Sequence, residues 1–140
     1  MVEQPTKVFL SYALTDRAVA ERIRRVLQQH SFQVFDPGFE LQLGENWAER
    51  IGKELSDSDA MVVLLSSESV KSLNLRSEIG FALGSSNYQN RVIPVLIEPT
   101  EDIPWILRTF PMVKLSDSVD PGQEVLKALL GAIRGAANVM

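Results

Sequence analysis

The chain has 140 residues, 45% hydrophobic and 23% charged, which predicts one globular domain over 1–140 with a core at about 7–134. Fourteen basic against 18 acidic residues give a net charge of −4, and the basic ones are scattered, which argues against a nucleic-acid footprint. The absence of Cys and the single His, His30, exclude disulfides and clustered zinc ligands, and leave Cys-His or Ser-His-Asp catalysis only if His30 serves. No apolar run approaches the ~20 residues of a membrane span and the polar start lacks a signal-peptide pattern, so no membrane partner and a cytoplasmic location are expected.

Lys7 to Tyr12 is β-rich and predicts a first strand. Thr15 is the predicted N-cap of the first helix, with Asp16 in its first turn. Val19, Ile23, Val26 and Leu27 form one apolar face. Arg22, Arg24 and Arg25 then read as its solvated face, and His30 meets the negative end of the helix dipole. Phe32 to Asp36 predicts a second strand, broken by Pro37-Gly38. After a loop ending at Gly44, Asn46-Trp47-Ala48-Glu49 has the form of a capping box, and Trp47, Ile51 and Leu55 make a buried stripe.

Ala60 to Leu65 is continuously apolar, as a central parallel strand requires. A Ser-rich loop leads to a helix from about Asn74 to Leu83, buried through Leu75, Ile79, Ala82 and Leu83 and stopped at Gly84. Val92 to Ile97 predicts a fourth strand, in which Pro94 disfavours full pairing. One short helix is expected around Trp105-Ile106-Leu107, with Trp105, like Trp47, as a packing residue. Met112 to Leu115 predicts a short fifth strand. Asp120 and Pro121 open the last helix, Gln123 closes its box, and Leu126, Leu129, Leu130 and Ile133 are its core stripe.

Five strands alternating with helices predict an α/β three-layer sandwich: a five-stranded parallel sheet of flavodoxin-like order 2-1-3-4-5, with helices on both faces. Ligands in such folds bind beyond the carboxyl ends of the strands, at the switch point between strands 1 and 3. Three segments then line the cleft: Ser11 to Thr15, Asp36 to Gly44, and Ser66 to Glu78.

The sequence has neither a Gly-x-x-x-x-Gly-Lys-Ser/Thr phosphate loop nor a Gly-x-Gly-x-x-Gly fingerprint. Ser11-Tyr12 and Ser66-Ser67 stand where a phospho-acceptor receiver needs acidic residues, and Ala13-Leu14-Thr15 is a poor flavin-phosphate loop. The cleft is left with hydroxyls, aromatics and Glu78. Glu78 lies four residues after Asn74 on the margin of its helix's apolar stripe. It either leans into the cleft half-buried or is an ordinary solvated helix carboxylate, the commoner state.

The order of segments resembles the Toll/interleukin-1 receptor (TIR) domain family, particularly its bacterial members. The resemblance rests on Val8-Phe9-Leu10-Ser11-Tyr12, on Val34-Phe35-Asp36 before Leu43-Gly44-Glu45-Asn46-Trp47, on Ser58-Asp59-Ala60 before Val62 to Ser66, and on Val92-Ile93-Pro94-Val95 before Ile103-Pro104-Trp105. It implies cleavage of NAD+ at the nicotinamide–ribose bond, giving ADP-ribose or a cyclic isomer, with bacterial members often acting in anti-phage defence or signalling. NAD+ enters as substrate, with no cofactor and no metal.

The family's catalytic Glu follows a Trp-x-x-x-Glu pattern. Here Glu78 matches and Asn74 replaces the Trp, a departure that bears on substrate pose and on activity. By the same similarity Phe39 supplies an aromatic contact to the base and Ser11 and Tyr12 line the floor. Asp36 reads equally as a site residue or a turn residue, and Ser66 and Ser69 as donors to the dinucleotide or, more simply, as loop caps. The resemblance also implies a homo-oligomer assembled through loop 37–44, with a fused or separate sensor domain. Two alternatives are a non-catalytic TIR scaffold acting by homotypic interaction and a nucleoside deoxyribosyltransferase-like enzyme.

Overall fold

The computed structural model describes residues 6–36, 47–84, 91–110, 112–115 and 120–138, with backbone alone for Trp47, Ala48, Leu73, Asn74, 81–83 and 133–138. Five strands, β1 (Lys7–Ser11), β2 (Gln33–Phe35), β3 (Ala60–Leu65), β4 (Val92–Leu96) and β5 (Val113–Lys114), pair in parallel in the order β2-β1-β3-β4-β5. Helices α1 (Arg17–Gln29), α2 (Trp47–Asp57), α3 (Leu73–Gly84) and α4 (Pro121–Asn138) complete the flavodoxin-like fold expected from the sequence.

Strand parity sorts the core into two halves. Val8, Leu10, Val34, Val62 and Leu64 pack on Ile23 and Leu27 of α1 and on Val125 and Leu129 of α4. Phe9, Phe35, Met61, Val63 and Leu65 pack on Ile51 and Leu55 of α2 and on Leu75 and Ile79 of α3. All six residues of β3 are buried, because helices cover both of its faces. Each fully buried Leu or Phe adds about 1.5–3 kcal/mol by area removed from water.

Pro94 is accommodated by parity as well. Ile97 donates its N–H to Leu65 of β3, while Leu96 accepts from Leu115 on the β5 side. The N–H that Pro94 lacks therefore falls on the β5 side, and β5 pairs only from Val95 onward.

The helix ends follow their capping residues. Past α1, Ser31 adopts φ 69°, its N–H donates to the Gln28 carbonyl, and that of Phe32 donates to the Leu27 carbonyl, which is a Schellman ending with a Ser in the left-handed position. His30 sits at this end as expected, its Nδ1 3.0 Å from the Val26 carbonyl. Asp120 caps α4 by accepting from the N–H groups of Gly122 (2.8 Å) and Gln123 (3.2 Å). At Gly122 a Cβ would lie 2.4 Å from Val26 Cγ2, so the glycine is what lets α4 approach α1.

Several sequence expectations are corrected. α1 begins at Arg17, after a 3-10 turn over Leu14–Asp16, so Thr15 is not its cap. α3 begins at Leu73, capped by Ser72, whose Oγ accepts from the Leu75 N–H at 3.2 Å. Arg24 is buried rather than solvated, because it faces the end of β2 and not water. Trp105 is 75% exposed: it opens the 3-10 turn Trp105–Thr109, whose buried residue is Leu107. Leu130 lies at the exposed margin of α4, whose stripe is centred on Val125, Leu126 and Leu129. The expected cap at Asn46 falls outside the described residues, as do the side chains of Trp47 and Ile133.

Candidate active site

β1 ends at Ser11, whose Cα is in register with Val63 of β3. Odd positions of β1 face α2 and α3, so Ser11 points the same way as Phe9, toward α3. Glu78 reaches down from α3 and meets it: Ser11 Oγ donates to Glu78 Oε1 at 2.7 Å. Ser11 is fully buried and Glu78 is 7% exposed, so the solvated reading of Glu78 does not hold. Burial pushes the Glu78 carboxyl up from 4.5 to about 7, with the Ser11 hydrogen bond opposing the shift. Such a group is divided between acid and carboxylate near neutral pH, as acid–base or charge-stabilising chemistry favours.

Even positions face the other way. The Tyr12 hydroxyl donates to Asp36 Oδ1, and Arg24 Nε lies 3.6 Å from Asp36 Oδ2. This trio joins the ends of β1 and β2 to α1, and Asp36 is 3% exposed within it. On the same face, Ser66 Oγ donates to Asp16 Oδ2 at 2.5 Å. Burial raises the Asp16 carboxyl, the Ser66 hydrogen bond opposes this, and the nearby charges of Glu98 and Glu68 add to the rise. Ser66 and Ser69 also close their own loop: the Ser66 N–H donates to Ser69 Oγ at 2.8 Å and the Ser69 N–H donates to Ser66 Oγ at 3.1 Å. At the exposed rim, the Ser67 N–H and hydroxyl both donate to Glu98 Oε1 at 2.9 Å, and these bonds, the backbone one first, hold that carboxyl below its ordinary value.

The sequence-predicted residues therefore gather at one edge of the sheet but divide between its faces. Glu78 and Ser11 meet on the α3 side; Tyr12, Asp36 and Ser66 lie on the α1 side. Asn74 lies in the first turn of α3, one turn before Glu78, with its side chain outside the description. Phe39 and loop 37–44 fall outside the described residues. Arg24 and Asp16 are contributors that the sequence reading missed. Strand alternation applied to Tyr12 and Asp36 points toward α1, but nothing local says which of its four arginines turns inward.

An open pocket of about 390 Å³ lies elsewhere, along β2 beside Gln28. It sits at the opposite end of the strands, where Lys7 is ion-paired with Glu54, so these two charges already satisfy each other. Among the described residues, no group of His, Cys, Asp and Glu is arranged to hold a metal, and no helix is long and apolar enough to cross a membrane.

A doubly wound parallel sheet that buries a carboxylate against a strand-end hydroxyl defines an α/β domain of the flavodoxin-like kind. The TIR domain model matches residues 8–130, and the chain belongs to that family. Solved structures share the fold. The TIR domain of the Toll-related receptor TRR-2 from Hydra magnipapillata is 20% identical with a TM-score of 0.70, over 92% of this chain and 95% of that one. A TIR-STING receptor from C. gigas, solved with 2′,3′-cGAMP, is 20% identical with a TM-score of 0.74, over 92% of this chain but 41% of the receptor. The CMP N-glycosidase BcmB of Clostridium botulinum is 16% identical with a TM-score of 0.60, over 89% of this chain and 99% of that one. No curated protein matches the sequence.

Proposed function

We propose that this TIR domain is an NAD+ nucleosidase with Glu78 as its catalytic carboxylate. The observation that carries the reading is the burial of Glu78 at the carboxyl end of β1, with a single neutral hydroxyl bonded to it among the described residues. Nicotinamide leaves from a cationic linkage as a neutral base, so the C–N bond breaks without a general acid. Positive charge then develops on the ribose as an oxocarbenium ion. A carboxylate fixed in a dry setting stabilises that charge far better than one in water. Attack by water, with loss of a proton, gives ADP-ribose; attack by a nucleophile of the same molecule gives a cyclic isomer. The carboxylate is the working form, so activity rises with pH through about 7.

In this reading Asn74, on the helix of Glu78, serves the nicotinamide end, as family similarity implies for its position. Tyr12, Asp36 and Ser66 support the neighbouring strand ends from the opposite face of the sheet, and the aromatic contact to the base is assigned to Phe39 by family similarity alone. Assembly through loop 37–44 is part of the proposal; the activated Roq1 resistosome, whose TIR domains are 18% identical with a TM-score of 0.57, is an assembly built on this fold. A sensor domain, fused or separate, a role in anti-phage defence or signalling, and a cytoplasmic site of action belong to the same reading. The second reading, a scaffold acting by homotypic contact, is favoured by Asn74 standing where the family has Trp.

The test is nicotinamide release from NAD+ at high protein concentration. Wild type is expected to turn over, and Glu78→Ala to lose about 10²–10³-fold. Absence of turnover when assembly is forced by tethering overturns the enzyme reading in favour of the scaffold. Base exchange between deoxynucleosides without nicotinamide release assigns the chain to the deoxyribosyltransferase-like class instead.

A further inference from the structure

We propose that Ser11 is a positioning residue for Glu78: its hydroxyl holds one carboxylate oxygen against the end of β1 and leaves the other to face the substrate ribose. The inference rests on the nucleosidase reading of this site. It replaces direct contact with substrate, the role that family similarity implies for Ser11, by a role exercised through Glu78.

Three observations carry it. Ser11 is fully buried and fixed by its pairing with Val63 of β3, so its hydroxyl is not presented to a ligand outside the sheet. The 2.7 Å bond goes to Oε1 alone, and among the described residues no second hydrogen bond reaches Glu78, so Oε2 is the oxygen left for chemistry. The bond also joins two elements 67 residues apart in the chain. A Glu side chain on a helix has three rotatable bonds, and ordering it is entropically costly. Tying Oε1 to the strand end settles that cost before substrate arrives and aims the carboxylate by the sheet rather than by the helix alone. Neither Tyr12 nor Asp36 can substitute, since both lie on the opposite face.

The experiment is a carboxyl titration of the full chain by NMR with ¹³C-labelled Glu, the Glu78 resonance being identified by its loss in Glu78→Gln. In Ser11→Ala the Glu78 midpoint is expected to rise by roughly one pH unit, because a bond that favours the charged form is gone. The acid limb of nicotinamide release moves with it, kcat falls and KM holds. Ser11→Cys, which keeps the volume with a weaker donor, gives an intermediate midpoint, and Ser11→Thr, which restores a hydroxyl, returns it toward wild type. An unchanged Glu78 midpoint in Ser11→Ala overturns the proposal, as does a rise in KM with the midpoint fixed. Wild type that releases no nicotinamide removes the nucleosidase reading, while the titration still decides whether Ser11 sets Glu78.

Discussion

Two carboxylates at the carboxyl edge of the sheet are buried to a similar degree, Glu78 at 7% and Asp36 at 3%, yet their surroundings differ in kind. Asp36 faces a phenol and a guanidinium, Tyr12 and Arg24, which offset its charge and join β1, β2 and α1. Among the described residues Glu78 faces one serine hydroxyl, which leaves much of its desolvation uncompensated. A buried charge with an opposite charge beside it holds structure together. One left with a single neutral partner is held against its own stability, which is how a reactive group is kept ready.

This contrast breaks first at Arg24. Arg24→Met leaves Asp36 buried without its cation and is expected to cost about 3–5 kcal/mol in denaturant unfolding, with nicotinamide release per folded molecule retained. A loss below about 1 kcal/mol, as for a surface pair, would end the comparison.

Glu78→Gln should act with the opposite sign. The folded-state value for Glu78 is raised from 4.5 to about 7, so the folded protein binds the proton more tightly than the unfolded chain. Stability is therefore lost as pH rises from 4.5 to about 7 and is level above that, a difference of about 3 kcal/mol. Wild type and Glu78→Gln should be alike near pH 4, and the variant more stable at pH 8 though inactive. Thermal melts across that range check the sign.

Two smaller changes test whether the α1 side is wholly structural. Gly122→Ala forces a methyl into Val26 and should cost about 1–3 kcal/mol, partly recovered in the double variant with Val26→Ala, while the Glu78 titration stays put. Ser31→Gly relieves a serine at φ 69° and should stabilise by about 1 kcal/mol, read as a rise in the denaturant midpoint.

Much of the architecture was legible because it is written in periodicity. The unbroken apolar run of β3, the stripe through Ile23 and Leu27, and the Asp120-Pro121 start each carry a local physical signature. The misreadings fall where local signals are ambiguous. Thr15 looks like a cap with Asp16 in the first turn behind it, but the helix begins at Arg17 and Asp16 accepts from Ser66, fifty residues away. Trp105 has the bulk of a core residue, but its 3-10 turn directs Leu107 inward and leaves Trp105 outside. Arg22, Arg24 and Arg25 of α1 are alike in sequence, and only the place of β2 makes Arg24 the buried one.

By itself the sequence determined the strands and their order in the sheet, since hydrophobic period and chain order suffice for a doubly wound fold, while it left Glu78 open between the cleft and solvent. The tertiary structure alone decided the company each carboxylate keeps. Neighbours at strand ends come from segments 24, 50 and 67 residues apart, and a one-residue difference along β1 sends Tyr12 to Asp36 and Ser11 to Glu78. Desolvation depends on what finally surrounds a group, so the raised Glu78 carboxyl is a property of the packed sheet and α3 together, which no local stretch of sequence encodes.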